Sequence, residues 1–142
     1  MLRIMRVQNV LLPVVFFCLL LAAGAAAANS EQDKPVTHLS QQDFQQLIAN
    51  TAAEDIAVID VRSKREFSAG RVPGAVNIPH QQILDDPSII TRLGKKKVVF
   101  YCYTGYRVGK VTRALAAQQV KGLYHLQGDY RAWRGNLLPI EK

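Results

Sequence analysis

The sequence predicts an α/β fold with three layers, in which a small, mainly parallel sheet carries helices on both faces. Two runs rich in β-branched residues, 56–61 and 98–101, have the continuous apolar character of strands buried in a parallel sheet. Each run is followed by a segment with helical spacing. Strands that alternate with helices along a chain favour a parallel sheet covered on both sides.

The remaining elements follow from apolar spacing and from glycine and proline at their boundaries. Ser40 and Asp43 have the spacing of a helix-capping pair. Short strands are expected at 75–78 and 123–126. We expect helices at 44–50, 63–69, 81–93 (interrupted near Pro87), 107–120 and 130–133.

The N-terminal 28 residues have the three parts of a secretory signal. Arg3 and Arg6 form a basic start, residues 10–23 are almost entirely apolar, and Ala26 and Ala28 fit the peptidase rule. We therefore predict a cleaved signal peptide at 1–28, a flexible leader at 29–35, a domain at 36–142 and a periplasmic location. An uncleaved anchor stays open, because residues 10–28 approach the ~20 needed to span a membrane.

The composition limits the kinds of ligand and partner that the chain is expected to bind. The whole chain has a formal net charge of +7, which favours solubility and a mild attraction for anions but does not by itself indicate nucleic acid. The one short basic run, 95–97, is typical of a solvated loop. No clustering of histidine and cysteine suggests a metal, so neither metal nor cofactor is expected. No membrane partner is expected after cleavage, and a monomer is favoured.

The chain has two cysteines, and only one of them lies in the predicted domain. Of the two, Cys18 lies in the apolar part of the signal, so the mature domain keeps only Cys102. A lone thiol cannot form an internal disulfide, and in an oxidising compartment it calls for an explanation. The ordinary explanation is a buried cysteine that behaves as a small hydrophobe.

The loop after the predicted strand at 98–101 supports a functional explanation instead. Cys102 would lie at the carboxyl end of a parallel strand, where open α/β sheets bind ligands. Backbone N–H groups before a helix attract anions, Gly105 lets the loop curl tightly, and Arg107 adds a permanent charge. These features favour the thiolate, which is the nucleophilic form of cysteine.

The loop from Cys102 to Arg107 reads C-x-x-G-x-R and resembles the active loop of rhodanese-homology domains. The resemblance covers about 36–133, with two departures: Arg71 stands where the family usually has histidine, and Asp129 replaces a usual second glycine. The other matching segments are Asp60-Val61-Arg62, Glu66-Phe67, Gly70 to Ala75, Asn77-Ile78-Pro79, and Leu126, Gly128, Ala132 and Trp133.

The resemblance implies a three-layer rhodanese-like fold and a sulfurtransferase. Cys102 would take the outer sulfur of thiosulfate or a similar donor as a persulfide, and cyanide, a thiol or a protein would accept it. Arg107 would bind the donor, and Asp60 and Arg62 would brace the site. The backbone amides of the loop would cradle the outer sulfur; these belong to Tyr103, Thr104, Gly105, Tyr106 and Arg107.

Several roles and rivals stay open. Tyr103 and Tyr106 are expected at the mouth of the pocket, whereas His38 and His125 read as framework. A cysteine phosphatase or arsenate reductase is disfavoured because those enzymes place five residues between cysteine and arginine, whereas this chain has four. A non-enzymatic sulfur carrier or docking module would use the same cysteine. Disulfide exchange would need a second thiol.

Overall fold

The computed structural model describes residues 36–142. The predicted signal peptide and leader, 1–28 and 29–35, lie outside the described residues. The strands are β1 (Thr37–Leu39), β2 (Ile56–Asp60), β3 (Val76–Asn77), β4 (Lys97–Tyr101) and β5 (Leu123–Leu126). The helices are α1 (Gln41–Asn50), α2 (Lys64–Ala69), α3 (His80–Asp85), α4 (Ser88–Thr91), α5 (Tyr106–Ala117) and α6 (Asp129–Gly135).

The strands form one sheet in the order β1-β5-β4-β2-β3, and every pairing in it is parallel. The predicted parallel α/β fold is therefore confirmed. Strand β1 is not predicted from the sequence: it has only three residues and pairs with β5, far along the chain. None of the helices in the described part of the chain is long and apolar enough to cross a membrane.

Side chains of successive strand residues point to opposite faces and build two apolar layers. On one face Ile59 and Phe100 pack with Val111 of α5 and with residues of α3 and α4. On the other face Val99 packs with Phe44 of α1 and with residues of α6. The sheet is thus covered on both sides, as predicted.

Local signals set the starts of the two helices that flank the site. Ser63 and Glu66 form a reciprocal capping box at the start of α2. Helix α5 begins at Tyr106, one residue earlier than predicted, directly after Gly105. It ends at Ala117 rather than near 120, because Gln119 adopts φ +58 and Val120 donates its N–H back to the carbonyl of Leu115.

Candidate functional site

Cys102 follows the last residue of β4 and is only 2% exposed. The backbone N–H of Gly105 donates a hydrogen bond to its Sγ at 3.0 Å. Gly105 has φ +90, a left-handed conformation that favours glycine. The tight curl predicted for this loop therefore places at least one backbone donor on the sulfur.

The backbone of Cys102 is held by the segment that opens α6. Its N–H donates to Oδ1 of Asp129 at 2.7 Å, and its carbonyl accepts from the N–H of Tyr130 at 3.0 Å. The carbonyl of Tyr103 accepts from the N–H of Arg131 at 3.2 Å. The sulfur-bearing loop is thus anchored on residues almost thirty positions later in the chain.

A buried carboxylate and a histidine lie beneath this loop. Asp129 is 2% exposed, and its Oδ2 lies 3.0 Å from Nε2 of His125. The ring of His38 lies 5.2 Å from the ring of His125. Neither Asp129 nor His125 is predicted from the sequence as a site residue. The one signal for them is the substitution of aspartate for the usual glycine, four residues after a histidine.

Arg107, expected to meet the anionic donor, is already paired. Its Nη1 donates to both carboxylate oxygens of Glu66, at 3.1 and 2.9 Å. Burial alone would raise the pKa of Glu66, but hydrogen bonds from Ser63 and the charge of Arg107 outweigh it and lower the pKa. Both paired side chains are about one-third exposed, so the guanidinium remains open to solvent.

His80 lies near the cations of α5. Burial lowers the pKa of His80, and the charges of Arg107 and Lys110 lower it further, against a smaller effect of Glu66. The neutral form of the imidazole is therefore favoured.

Asp60 and Arg62, which are expected to brace the site, form a buried ion pair. Nη2 of Arg62 lies 2.6 Å from Oδ2 of Asp60 and also donates to the carbonyl of Gly70 at 2.8 Å. Burial alone would lower the pKa of Arg62, but the hydrogen bonds and charge of Asp60 leave it raised. The guanidinium lies 3.9 Å from the ring centre of Tyr130, whose N–H holds Cys102. The Asp60–Arg62 pair is thus connected to the cysteine loop through Tyr130.

The two tyrosines of the loop lie at the surface, with Tyr103 46% and Tyr106 69% exposed. Thr104 between them is also exposed. Lys110 places its ammonium 4.7 Å from the ring centre of Tyr106. A cavity of about 260 Å³ opens beside Tyr103, with Arg134 on its wall.

A larger groove, of about 470 Å³, runs along β2 and β3 and contains none of the predicted site residues. Among residues 36–142, no three side chains of histidine, cysteine, aspartate or glutamate are grouped so that they could hold a metal ion.

Comparison with known proteins decides the family. The model of the rhodanese-like domain matches residues 40–136. The chain belongs to this family. A sulfurtransferase of Allochromatium vinosum is 29% identical over 106 residues, which cover 74% of this chain and 94% of that protein. A tRNA uridine(34) hydroxylase of Cytophaga hutchinsonii is 34% identical over 94 residues, but these make up only 29% of its length.

Solved structures agree with the rhodanese-like fold. The human single-domain sulfurtransferase TSTD1 has a TM-score of 0.55 and 28% identity, with 69% of this chain and 95% of that one covered. A Rhodopseudomonas palustris protein of unknown function, described as a possible tyrosine phosphatase, has a TM-score of 0.60 and 29% identity, with 75% and 85% covered. The family, the Allochromatium vinosum protein and TSTD1 indicate a sulfurtransferase as the general class of enzyme.

Proposed function

We propose that this rhodanese-like domain transfers sulfane sulfur from thiosulfate, or a similar donor, to a thiophilic acceptor through a persulfide on Cys102. The observation that carries the proposal is the hydrogen bond of 3.0 Å from the N–H of Gly105 to Sγ of Cys102. A donor aimed at Sγ stabilises the thiolate, which is the form of Cys102 that attacks the donor and that is regenerated when the acceptor takes the sulfur.

In the first step the thiolate of Cys102 attacks the outer sulfur of thiosulfate. A new S–S bond forms on Sγ, the S–S bond of thiosulfate breaks, and its electron pair leaves with sulfite. Thiolate and dianion become persulfide anion and sulfite dianion, so charge balances. In the second step the acceptor attacks the outer sulfur and the thiolate is regenerated, as two-step covalent catalysis requires.

Arg107 supplies the charge that attracts the donor dianion. Because its guanidinium is bound to Glu66, an incoming donor competes with that carboxylate for the same cation. The pair is only partly buried, which limits this competition, since ion pairs that are open to solvent contribute little. Thr104 and Tyr106 contribute backbone N–H groups to the same loop, and Tyr103 and Tyr106 border the entrance for the acceptor.

Export forms part of the proposal. The signal pattern at 1–28 supports a mature, periplasmic domain in which Cys102 is the sole thiol. N-terminal sequencing of the protein purified from its native host tests this directly. A mature chain that begins at Asn29 supports the proposal, and one that still carries Met1 in the cytoplasmic fraction contradicts it.

Turnover tests the enzymatic proposal against a pure carrier role. The purified domain is expected to form thiocyanate from thiosulfate and cyanide with ping-pong kinetics, and Cys102→Ser is expected to abolish this activity. Slow turnover with cyanide combined with rapid transfer to a single protein acceptor would favour a sulfur carrier.

A cysteine phosphatase is the second candidate, because a similar structure has been described as a possible tyrosine phosphatase. Only four residues separate Cys102 from Arg107, which makes a tighter cup than the five of that class. Hydrolysis of an aryl phosphate that disappears in Cys102→Ser would establish this activity. We expect none.

A further inference from the structure

Asp129 occupies a position that suits glycine better in two respects. Its φ of +53 is left-handed, a region that residues with a Cβ visit rarely, although aspartate does so more often than most. Its carboxylate is also only 3% exposed, and a buried charge is unfavourable unless it is paired and hydrogen-bonded. Both features are unfavourable, so the interactions that the carboxylate of Asp129 makes have to offset them.

The carboxylate binds the sulfur loop at its start and lies close to it at its end. Oδ1 accepts the N–H of Cys102 at 2.7 Å, where the loop begins. Where the loop ends, a Cβ added to Gly105 would lie only 3.1 Å from Oδ2 of Asp129 and 3.2 Å from Cε1 of His125. The turn that brings the Gly105 N–H onto Sγ therefore passes close to one carboxylate and one imidazole, which leave no room for a side chain at this position.

His125 in turn holds the carboxylate. Its Nε2 lies 3.0 Å from Oδ2 of Asp129, and its ring stands against that of His38 on the neighbouring strand. With one oxygen on the backbone of Cys102 and the other on His125, the carboxylate has little freedom to rotate. A hydrogen bond donated to a carboxylate is also stronger than one donated to a neutral acceptor.

We propose that Asp129 is a positioning residue for Cys102, and that His125 is the residue that orients its carboxylate. The proposal rests on the proposed function, since it concerns how fast the persulfide forms. Asp129 does not touch the donor. It holds Sγ and the Gly105 N–H in the geometry that attack on the donor requires. Misplacement of a nucleophile lowers the rate of the chemical step rather than the affinity for substrate.

Two substitutions separate this role from a merely structural one. Asp129→Gly suits the left-handed backbone and removes the carboxylate. Asp129→Asn keeps an oxygen that can accept from the N–H of Cys102 and an amide that can donate to Nε2 of His125. Asp55→Asn, at an exposed carboxylate in the turn before β2, serves as the matched control for loss of one charge.

The rate of persulfide formation is measured by rapid-quench mass spectrometry over a series of thiosulfate concentrations. Asp129→Gly is expected to lower the maximal rate by about tenfold or more, while the half-saturating concentration changes by less than about twofold. Asp129→Asn is expected to stay within about threefold of the wild type, as is Asp55→Asn. A fully folded Asp129→Gly with the wild-type maximal rate, or an Asp129→Asn as slow as Asp129→Gly, would overturn the proposal.

NMR of the Cys102 amide gives a readout that does not depend on activity. A proton donated to a carboxylate is expected far downfield in the wild type, and we expect it to move upfield in Asp129→Gly. An unchanged resonance would contradict the positioning role. If the wild type formed no persulfide yet this resonance moved, the proposed function would fail while the contact between Asp129 and Cys102 would stand.

Discussion

Nη1 of Arg107 lies 2.9 Å from Oε2 of Glu66, so the cation that ends the C-x-x-G-x-R loop is already bound to a carboxylate of the capping box on α2. The pair joins the first turn of α5 to α2 across the entrance of the site. It holds the guanidinium in place, and it also reduces the charge that an anionic donor meets.

Arg107→Ala is expected to raise the half-saturating concentration of thiosulfate by about tenfold or more, because a hydrogen bond to a charged group is worth ~1.5–3 kcal/mol. The maximal rate should change less, since Cys102 and Gly105 remain in place. Steady-state kinetics with cyanide as acceptor measure both quantities. Arg92→Ala, at an exposed ion pair with Asp86, is the matched control. Unchanged donor kinetics in Arg107→Ala would remove the role assigned to this arginine.

Glu66→Gln should have the opposite effect. The amide oxygen still serves as an acceptor for the capping box, while the charge of Arg107 is no longer neutralised by a carboxylate. The half-saturating concentration of thiosulfate should therefore fall. An exposed ion pair contributes ~0.2–1 kcal/mol, which limits the decrease to at most about fivefold. The same kinetic assay checks it, with Asp86→Asn as control. A weaker affinity for thiosulfate in Glu66→Gln would mean that the carboxylate assists donor binding.

His80 should make the fold sensitive to mild acid. Its pKa in the folded chain lies below the usual 6.5, so the unfolded state binds a proton more readily. Stability contributed by the neutral imidazole is therefore present above about pH 6.5 and is lost as the pH falls through the folded pKa. Urea unfolding between about pH 7 and pH 5 should show a smaller pH slope in His80→Gln. Equal slopes in the two proteins would contradict this assignment.

The buried pair of Asp60 and Arg62 should matter for stability more than its exposed counterparts. Removal of one partner leaves an uncompensated charge in the core, so Arg62→Met should lower the free energy of unfolding by about 3–5 kcal/mol. The double variant Asp60→Asn with Arg62→Met should lose less than the sum of the single losses. Urea titration measures both values. A loss below about 1 kcal/mol in Arg62→Met would show that water reaches the pair.

Much of the fold could be predicted because local sequence patterns indicate many of its strands and helices. The apolar runs at 56–61 and 98–101 and the helical spacing of Val108, Val111 and Leu115 each predict their own element. The curl of the cysteine loop follows from Gly105 in the same way. Strand β1 could not be predicted, because three residues carry no period and its pairing with β5 spans most of the domain.

The partners of the site could not be predicted for a related reason. Asp129 reaches the N–H of Cys102 only because two neighbouring parallel strands, β4 and β5, end at the same edge of the sheet. Arg107 finds Glu66 across a separation of 41 residues. Contacts of this kind follow from the topology of the sheet, and no local pattern encodes them.

Intact-mass analysis of the purified domain after incubation with excess thiosulfate is the most direct test of persulfide formation on Cys102. We expect the chain to gain the mass of one sulfur atom, cyanide to remove it, and Cys102→Ser to gain nothing. A wild-type mass that excess thiosulfate leaves unchanged would show that Cys102 does not take sulfane sulfur from this donor.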